Sequence, residues 1–216
     1  MIVTTQKPLD EILGLISPYK NVLIVGCDGC TQPPRGIREA ETLSQLLELG
    51  GGQRNKQFAF TVNTLVKQCD SYLTAVALKD MIGDDVEAVL SLACGLGPQT
   101  IARLYPELPV FPAQNTVFMG SEEREAGTLE ERCSACGDCV LGLTGGICPV
   151  TRCAKSLLNG PCGGSQNGKC EVDPNKDCAW ALIIEQLDKM GRLHVLEEIQ
   201  PAKDHQAVAR PGRITL

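Results

Sequence analysis

Eight of the chain's twelve cysteines fall between Cys133 and Cys178, in a stretch crowded with glycine and almost free of apolar periodicity. Such a segment cannot bury enough apolar surface to hold a fold by itself, so cross-links or metal must do it. The context chooses metal. Asp10 and Glu11 interrupt the stretch where a signal peptide needs an unbroken apolar run. No apolar run approaches the roughly 18 residues of a membrane span. The chain is therefore expected to be cytoplasmic, where thiols stay reduced and clustered cysteines read as ligands rather than disulfides. Only two histidines exist, His194 and His205, both C-terminal to every cysteine, which points to all-thiolate sites. Twelve thiols make three sets of four, the usual ligand number for a tetrahedral or cubane site.

The spacing separates iron–sulfur from zinc. Cys133, Cys136 and Cys139 follow one another at two-residue intervals, so each tight turn can bring the next sulfur to a neighbouring iron. Zinc sites are usually built from separated C-x2-C pairs. Cys148 then precedes Pro149, as at the end of bacterial ferredoxin runs, where that cysteine ligates the other cluster. Cys153, Cys162, Cys170 and Cys178 follow singly and suit a second cluster. Gly137, Gly145, Gly146, Gly163 and Gly164 sit where backbone would approach cluster sulfurs, although tight turns alone also account for them. The competing reading of the segment is a zinc-stapled module without a redox role.

Upstream, the pattern is different. Residues 21–25 (NVLIV) form a short apolar run ended by Gly26, a buried strand. A helix is expected over 37–49, with Ile37, Ala40, Leu43 and Leu47 on one face and Gly50 to Gly52 as its stop. Residues 57–62, 86–93 and 110–119 read as further strands, and 70–81 and 98–105 as helices. Strands alternating with helices predict an α/β fold, a Rossmann- or flavodoxin-like parallel sheet with helices on both faces. The domains are then 1–121 and 122–216. The second is a small, irregular cysteine-rich domain ending in an amphipathic helix over 179–196, with Trp180, Ile183, Ile184 and Leu187 on one side. The tail from residue 201, with Lys203, Arg210 and Arg213, is either disordered or an arm laid on a partner.

The first domain carries four thiols of its own. Cys27 and Cys30 follow the first strand, Cys69 the second and Cys94 the third. In a parallel sheet these strand ends share one edge, where such folds bind ligands, so the four thiols are candidates for a third cluster. Buried structural thiols are the alternative.

Other chemistries lack their markers. The balance of 20 Lys+Arg against 26 Asp+Glu is mildly acidic and excludes the basic stripe of a nucleic-acid binder. Residues 163–169 (GGSQNGK) match a phosphate loop only until Cys170 replaces the magnesium-binding Ser or Thr, and no strand precedes them. No Gly-x-Gly-x-x-Gly follows a strand. Asp84 and Asp85 read as a solvated turn, and His194 as a surface or packing residue. No catalytic residue is expected in this chain.

The string ERCSACGDCVLGLTGGICPVTRCAKSLLNGPCGG, followed by GKCEV and CAW, closely resembles the cysteine-rich domain of a family named for methylenetetrahydrofolate reductase. The resemblance covers nearly the whole chain, and its C-terminal string is the specific part. It implies a small iron–sulfur subunit beside the flavoprotein of acetogen-type enzymes, although members are described as zinc-containing too. It also implies that flavin and folate lie on that catalytic partner, which reduces 5,10-methylenetetrahydrofolate to 5-methyltetrahydrofolate in one-carbon metabolism of the Wood–Ljungdahl type. This chain would exchange electrons with the flavin, and a further electron-donor protein is the other partner such a role calls for. Two [4Fe–4S] clusters are expected on the eight later cysteines and a third on Cys27, Cys30, Cys69 and Cys94, with Zn2+ as the alternative metal. The loop Cys30-Thr31-Gln32-Pro33 departs from the family pattern.

Overall fold

The apolar run at Asn21 becomes the inner strand of a parallel sheet. In the computed structural model, which describes residues 1–122 and 128–204, β2 (Asn21–Cys27) lies between β4 (Ala59–Leu65) and β5 (Ala88–Ser91), and β6 (Val110–Pro112) completes the order β4-β2-β5-β6. All three pairings are parallel. A strand with neighbours on both sides and cover on both faces must be apolar throughout, and Val22 to Cys27 are all buried. On one face Val22, Ile24, Ala88 and Leu90 meet α1 (Leu9–Ile16) and α2 (Ile37–Gln53). On the other, Leu23, Val25 and Val89 meet Leu78 of α3 (Ser71–Leu78) and Ile101 of α4 (Leu96–Leu104). The α/β expectation with a parallel sheet holds, and each buried Leu, Ile or Val in these layers contributes about 1.5–3 kcal/mol.

Two differences from the expected elements have a clear physical reason. Helix α2 runs through Gly50 to Gly52 and ends at Gln53. Glycine there is a packing device: a Cβ on Gly50 would stand 2.8 Å from Leu13 Cδ1, and one on Gly51 2.7 Å from Phe58 Cε2. Ile37 begins this helix but is 37% exposed. The expected strand over 110–119 is two strands in two sheets. Ala113, fully buried, donates its N–H to Ser91 O (2.8 Å) while its carbonyl accepts from Lys7 N–H (2.9 Å), so the chain changes sheets at that residue. Beyond it, β7 (Gln114–Met119) joins a second sheet of order β3-β1-β7, built on β1 (Ile2–Gln6) and β3 (Thr31–Gln32). Neither β1 nor α1 was expected.

The chain divides into two compact units at Met119/Gly120. In the second, β8 (Ser121–Glu122) pairs with β9 (Leu129–Glu130), and then only the four-residue α5 (Pro149–Arg152) is regular before α6 (Ala179–Lys189). Trp180, Ile183 and Leu187 of α6 are buried with Cys178, while Ile184 is 38% exposed rather than packed with them. The expected helix to residue 196 stops at Lys189. Gly191 has φ +65°, its N–H bonds Asp188 O and the Arg192 N–H bonds Leu187 O, a Schellman cap. A 3-10 turn, Leu193–Glu197, follows. Of the expected tail, residues 205–216, with His205, Arg210 and Arg213, lie outside the described residues.

Candidate metal centres

The parallel register sends the C-terminal ends of β2, β4 and β5 to one edge, and three thiols arrive there. Cys27 is the last residue of β2, opposite Leu65 of β4, and is buried. Cys94 follows β5 and is buried, while Cys69, beyond β4, is open to solvent. Packing around the Cys69 sulfur pushes its pKa up, against Lys67 and its own N–H, and the neighbouring thiols of Cys94 and Cys27 push the same way. Cys30, in the loop before β3, is exposed.

One residue that sequence reasoning missed ties these loops together. Gln68, fully buried beside Cys69, donates from its side-chain amide to Val25 O (3.0 Å) and Gly26 O (2.7 Å) of β2. Its Oε1 accepts from the Ser91 hydroxyl of β5 at 2.6 Å. A Cβ on Gly97 would come within 2.8 Å of that same oxygen, so the first turn of α4 is drawn close as well. The only sequence signal was a polar side chain at a strand exit.

In the second unit, Cys133, Cys136 and Cys139 share one loop turned by left-handed residues, Ala135 at φ +52° and Gly137 at φ +78°. The Ala135 N–H donates to Cys133 Sγ (3.4 Å), the backbone-to-sulfur bond expected around thiolate ligands. The Cys136 thiol donates to Asp138 O at 3.5 Å. Asp138 is held in turn by Lys203, whose ammonium donates to the same carbonyl and pairs with the carboxylate at 3.4 Å. The start of the tail is thus anchored on its own chain. Arg152 of α5 pairs with Glu130 of β9, joining the strand that leads into this loop to the helix flanked by Cys148 and Cys153.

The later cysteines sit on a small ribbon. Asn167 (φ +51°) and Gly168 (φ +74°) form a two-residue hairpin turn, with Gln166 and Lys169 exchanging both backbone bonds. The stretch rejected as a phosphate loop is thus a β-turn. Lys169 is bridged to Asp177, Cys170 N–H bonds Lys176 O and Cys178 N–H bonds Gly168 O. Alternation along such a ribbon puts Cys170 and Cys178 on the same face. The Cys162 thiol donates to Glu171 Oε2 (3.2 Å), and Lys155 pairs with that carboxylate. A Cβ on Gly164 would collide with the Glu171 side chain, so that glycine is a close-approach position, whereas Gly145 (φ +62°) and Gly146 (φ +88°) are turns. Cys153 packs in the apolar cluster of Cys178 and Trp180. Burial raises the Cys178 pKa, but the Ser165 hydroxyl and the Ala181 and Trp180 amides at the start of α6 outweigh it and leave the thiol below its ordinary value.

Among the described residues no group of three or more Cys, His, Asp or Glu side chains is gathered closely enough to hold a metal ion. The donor set nevertheless fits thiolate ligation: all twelve cysteines are free, and His194 is exposed on the 3-10 turn. Asp84 and Asp85 lie in an exposed turn, as expected. No described helix is long and apolar enough to cross a membrane.

Fold and site together define a thiol-rich α/β protein whose second unit has little apolar core. Residues 111–206 match the family model described as methylene-tetrahydrofolate reductase C terminal, the family that the cysteine string resembles. The match associates the chain with methylenetetrahydrofolate reductase and one-carbon metabolism. No curated protein and no solved structure shows significant similarity to it.

Proposed function

We propose that this chain is the iron–sulfur electron-transfer subunit of a methylenetetrahydrofolate reductase complex, working in the cytoplasm. It exchanges electrons with the flavin of a catalytic subunit that reduces 5,10-methylenetetrahydrofolate to 5-methyltetrahydrofolate, and turns over no substrate itself. Cys133, Cys136, Cys139, Cys148, Cys153, Cys162, Cys170 and Cys178 would hold two [4Fe–4S] clusters, and Cys27, Cys30, Cys69 and Cys94 a third.

The observation that carries this reading is the poverty of the second unit. Between Glu130 and Cys178 the chain has one four-residue helix, and its apolar cluster has only four buried members. Six of the eight thiols there lie outside that cluster, and ligation supplies the folding energy the core lacks. Bound clusters supply one-electron transfer.

The chain's own groups set the conditions. The left-handed turn at Ala135 aims its backbone N–H at the Cys133 sulfur, and Trp180 with Ile183 and Leu187 packs over the Cys178 side. Irregular backbone between the cysteines lets the loops draw together without breaking helix or sheet.

Iron and acid-labile sulfide in anaerobically purified protein, with visible absorption that bleaches on dithionite, are the expected result. Colourless protein loaded with zinc would replace this reading by a structural or regulatory zinc subunit.

A further inference from the structure

We infer that Lys203 is a positioning residue that fixes the Cys133–Cys139 loop and sets the charge beside it, which deepens, and rests on, the iron–sulfur reading above. Lys203 lies more than sixty positions from the loop it touches, and no motif points to it. Its side chain is only 9% exposed, whereas Lys155, Lys169 and Lys189, also in ion pairs, are 39%, 48% and 64% exposed. A lysine taken out of water is costly unless its charge and its donors are satisfied. Both needs are met by one residue, Asp138, which stands between Cys136 and Cys139.

The carbonyl of Asp138 is the shared point. It accepts the Cys136 thiol at 3.5 Å and also accepts the Lys203 ammonium. The cation is therefore one acceptor atom removed from the Cys136 sulfur. When that sulfur binds metal its proton leaves, and the ammonium keeps the carbonyl occupied and the turn closed. The Asp138 carboxylate, on a side chain 56% exposed, is solvated and screened more than Lys203, whose side chain is 9% exposed. A fixed positive charge favours whichever state of a centre carries the extra electron. Here that electron comes from dithionite in the test and from the flavin or a donor protein in the complex. Removing the cation should lower the potential of the centre on this loop, and removing the carboxylate should raise it.

The test uses the full chain purified without oxygen, in the variants Lys203→Met, Lys203→Arg and Asp138→Asn. Iron and sulfide are assayed, and each centre is titrated with dithionite while its electron-spin signal is followed. Lys203→Met should shift one centre negative by about tenfold in its reduction equilibrium, 59 mV for one electron. Asp138→Asn should move the same centre positive, and Lys203→Arg should leave it near the parent value. Iron-loaded variants with unmoved potentials, or with both substitutions moving the same way, would overturn the role of Lys203 and leave the electron-transfer reading standing. If Lys203→Met does not retain iron, the direction of the Asp138→Asn shift decides. Parent protein without iron overturns both.

Discussion

The Oε1 atom of Gln68 accepts the Ser91 hydroxyl at 2.6 Å, in a place where neither residue sees solvent. That bond joins the exit of β4 to the end of β5, and the other side of the Gln68 amide holds β2 through two carbonyls. A single side chain thus sets the spacing of the loops that carry Cys27, Cys69 and Cys94.

Gln68→Leu should cost about 1–3 kcal/mol, because it takes a donor from the Gly26 carbonyl and the acceptor from the Ser91 O–H in a dry interior, while Val25 O keeps the Leu92 N–H. Amide exchange in β2 reports the loss directly. Unchanged protection there would show that water or another group takes over the bonds.

Gly51 and Gly52 of α2 should respond to alanine with opposite signs. At Gly52 a Cβ meets nothing within 4 Å, so Gly52→Ala should stabilise by about 0.5–1 kcal/mol through helix propensity. At Gly51 the Phe58 ring is in the way, and the crowding should make Gly51→Ala destabilising by about 1–2 kcal/mol. Urea melts of the two proteins check the pair.

Acid should loosen the start of β2. The Glu87 carboxylate accepts the Asn21 N–H at 2.9 Å and the Lys20 N–H, and these bonds hold its pKa below the ordinary 4.5. A depressed folded pKa means that the stabilisation is complete above the ordinary value and fades as pH falls through the lower, folded one. Glu87→Gln should therefore lower stability in the neutral region and leave it nearly unchanged in acid, which flattens the acid limb of the curve. A curve with the parent's acid slope would remove Glu87 from that role.

Stripping the metal should unfold the two units unequally. On the proposed reading, chelation or Cys136→Ala should abolish exchange protection in α6 while protection in β2 persists, since β2 rests on sheet pairing and two apolar layers. Protection lost together in both elements would contradict it.

Trp180 is the largest buried side chain of the second unit, and its Nε1–H donates to Leu157 O at 2.9 Å. Trp180→Ala should cost about 3–5 kcal/mol, which a unit with so few buried residues cannot absorb. Trp180→Phe keeps most of the packing and should cost about 1 kcal/mol for the lost hydrogen bond. Limited proteolysis between residues 128 and 204 separates the two outcomes.

Much of the first unit was legible because its strands are short apolar runs with turn residues between them. The buried β2 and the alternation that followed it gave the parallel sheet. What misled was local chemistry answered by distant contacts: Gly50 to Gly52 looked like a stop, but Leu13 and Phe58 use the missing side chains of Gly50 and Gly51. Residues 110–119 looked like one strand because Ala113 serves two sheets through its backbone, which leaves no trace in composition. The thiols themselves were readable from identity and spacing. Gln68, Glu171 and Lys203 were not, because each acts through a partner far along the chain, and spacing carries no record of such pairs.

In the sheet that β1 shares with β7, Ile2 stands directly opposite Met119. The polypeptide therefore enters the first unit beside the point where it leaves. A module closed in this way can be spliced into a longer polypeptide, or extended at either side, without parting a single layer of its interior.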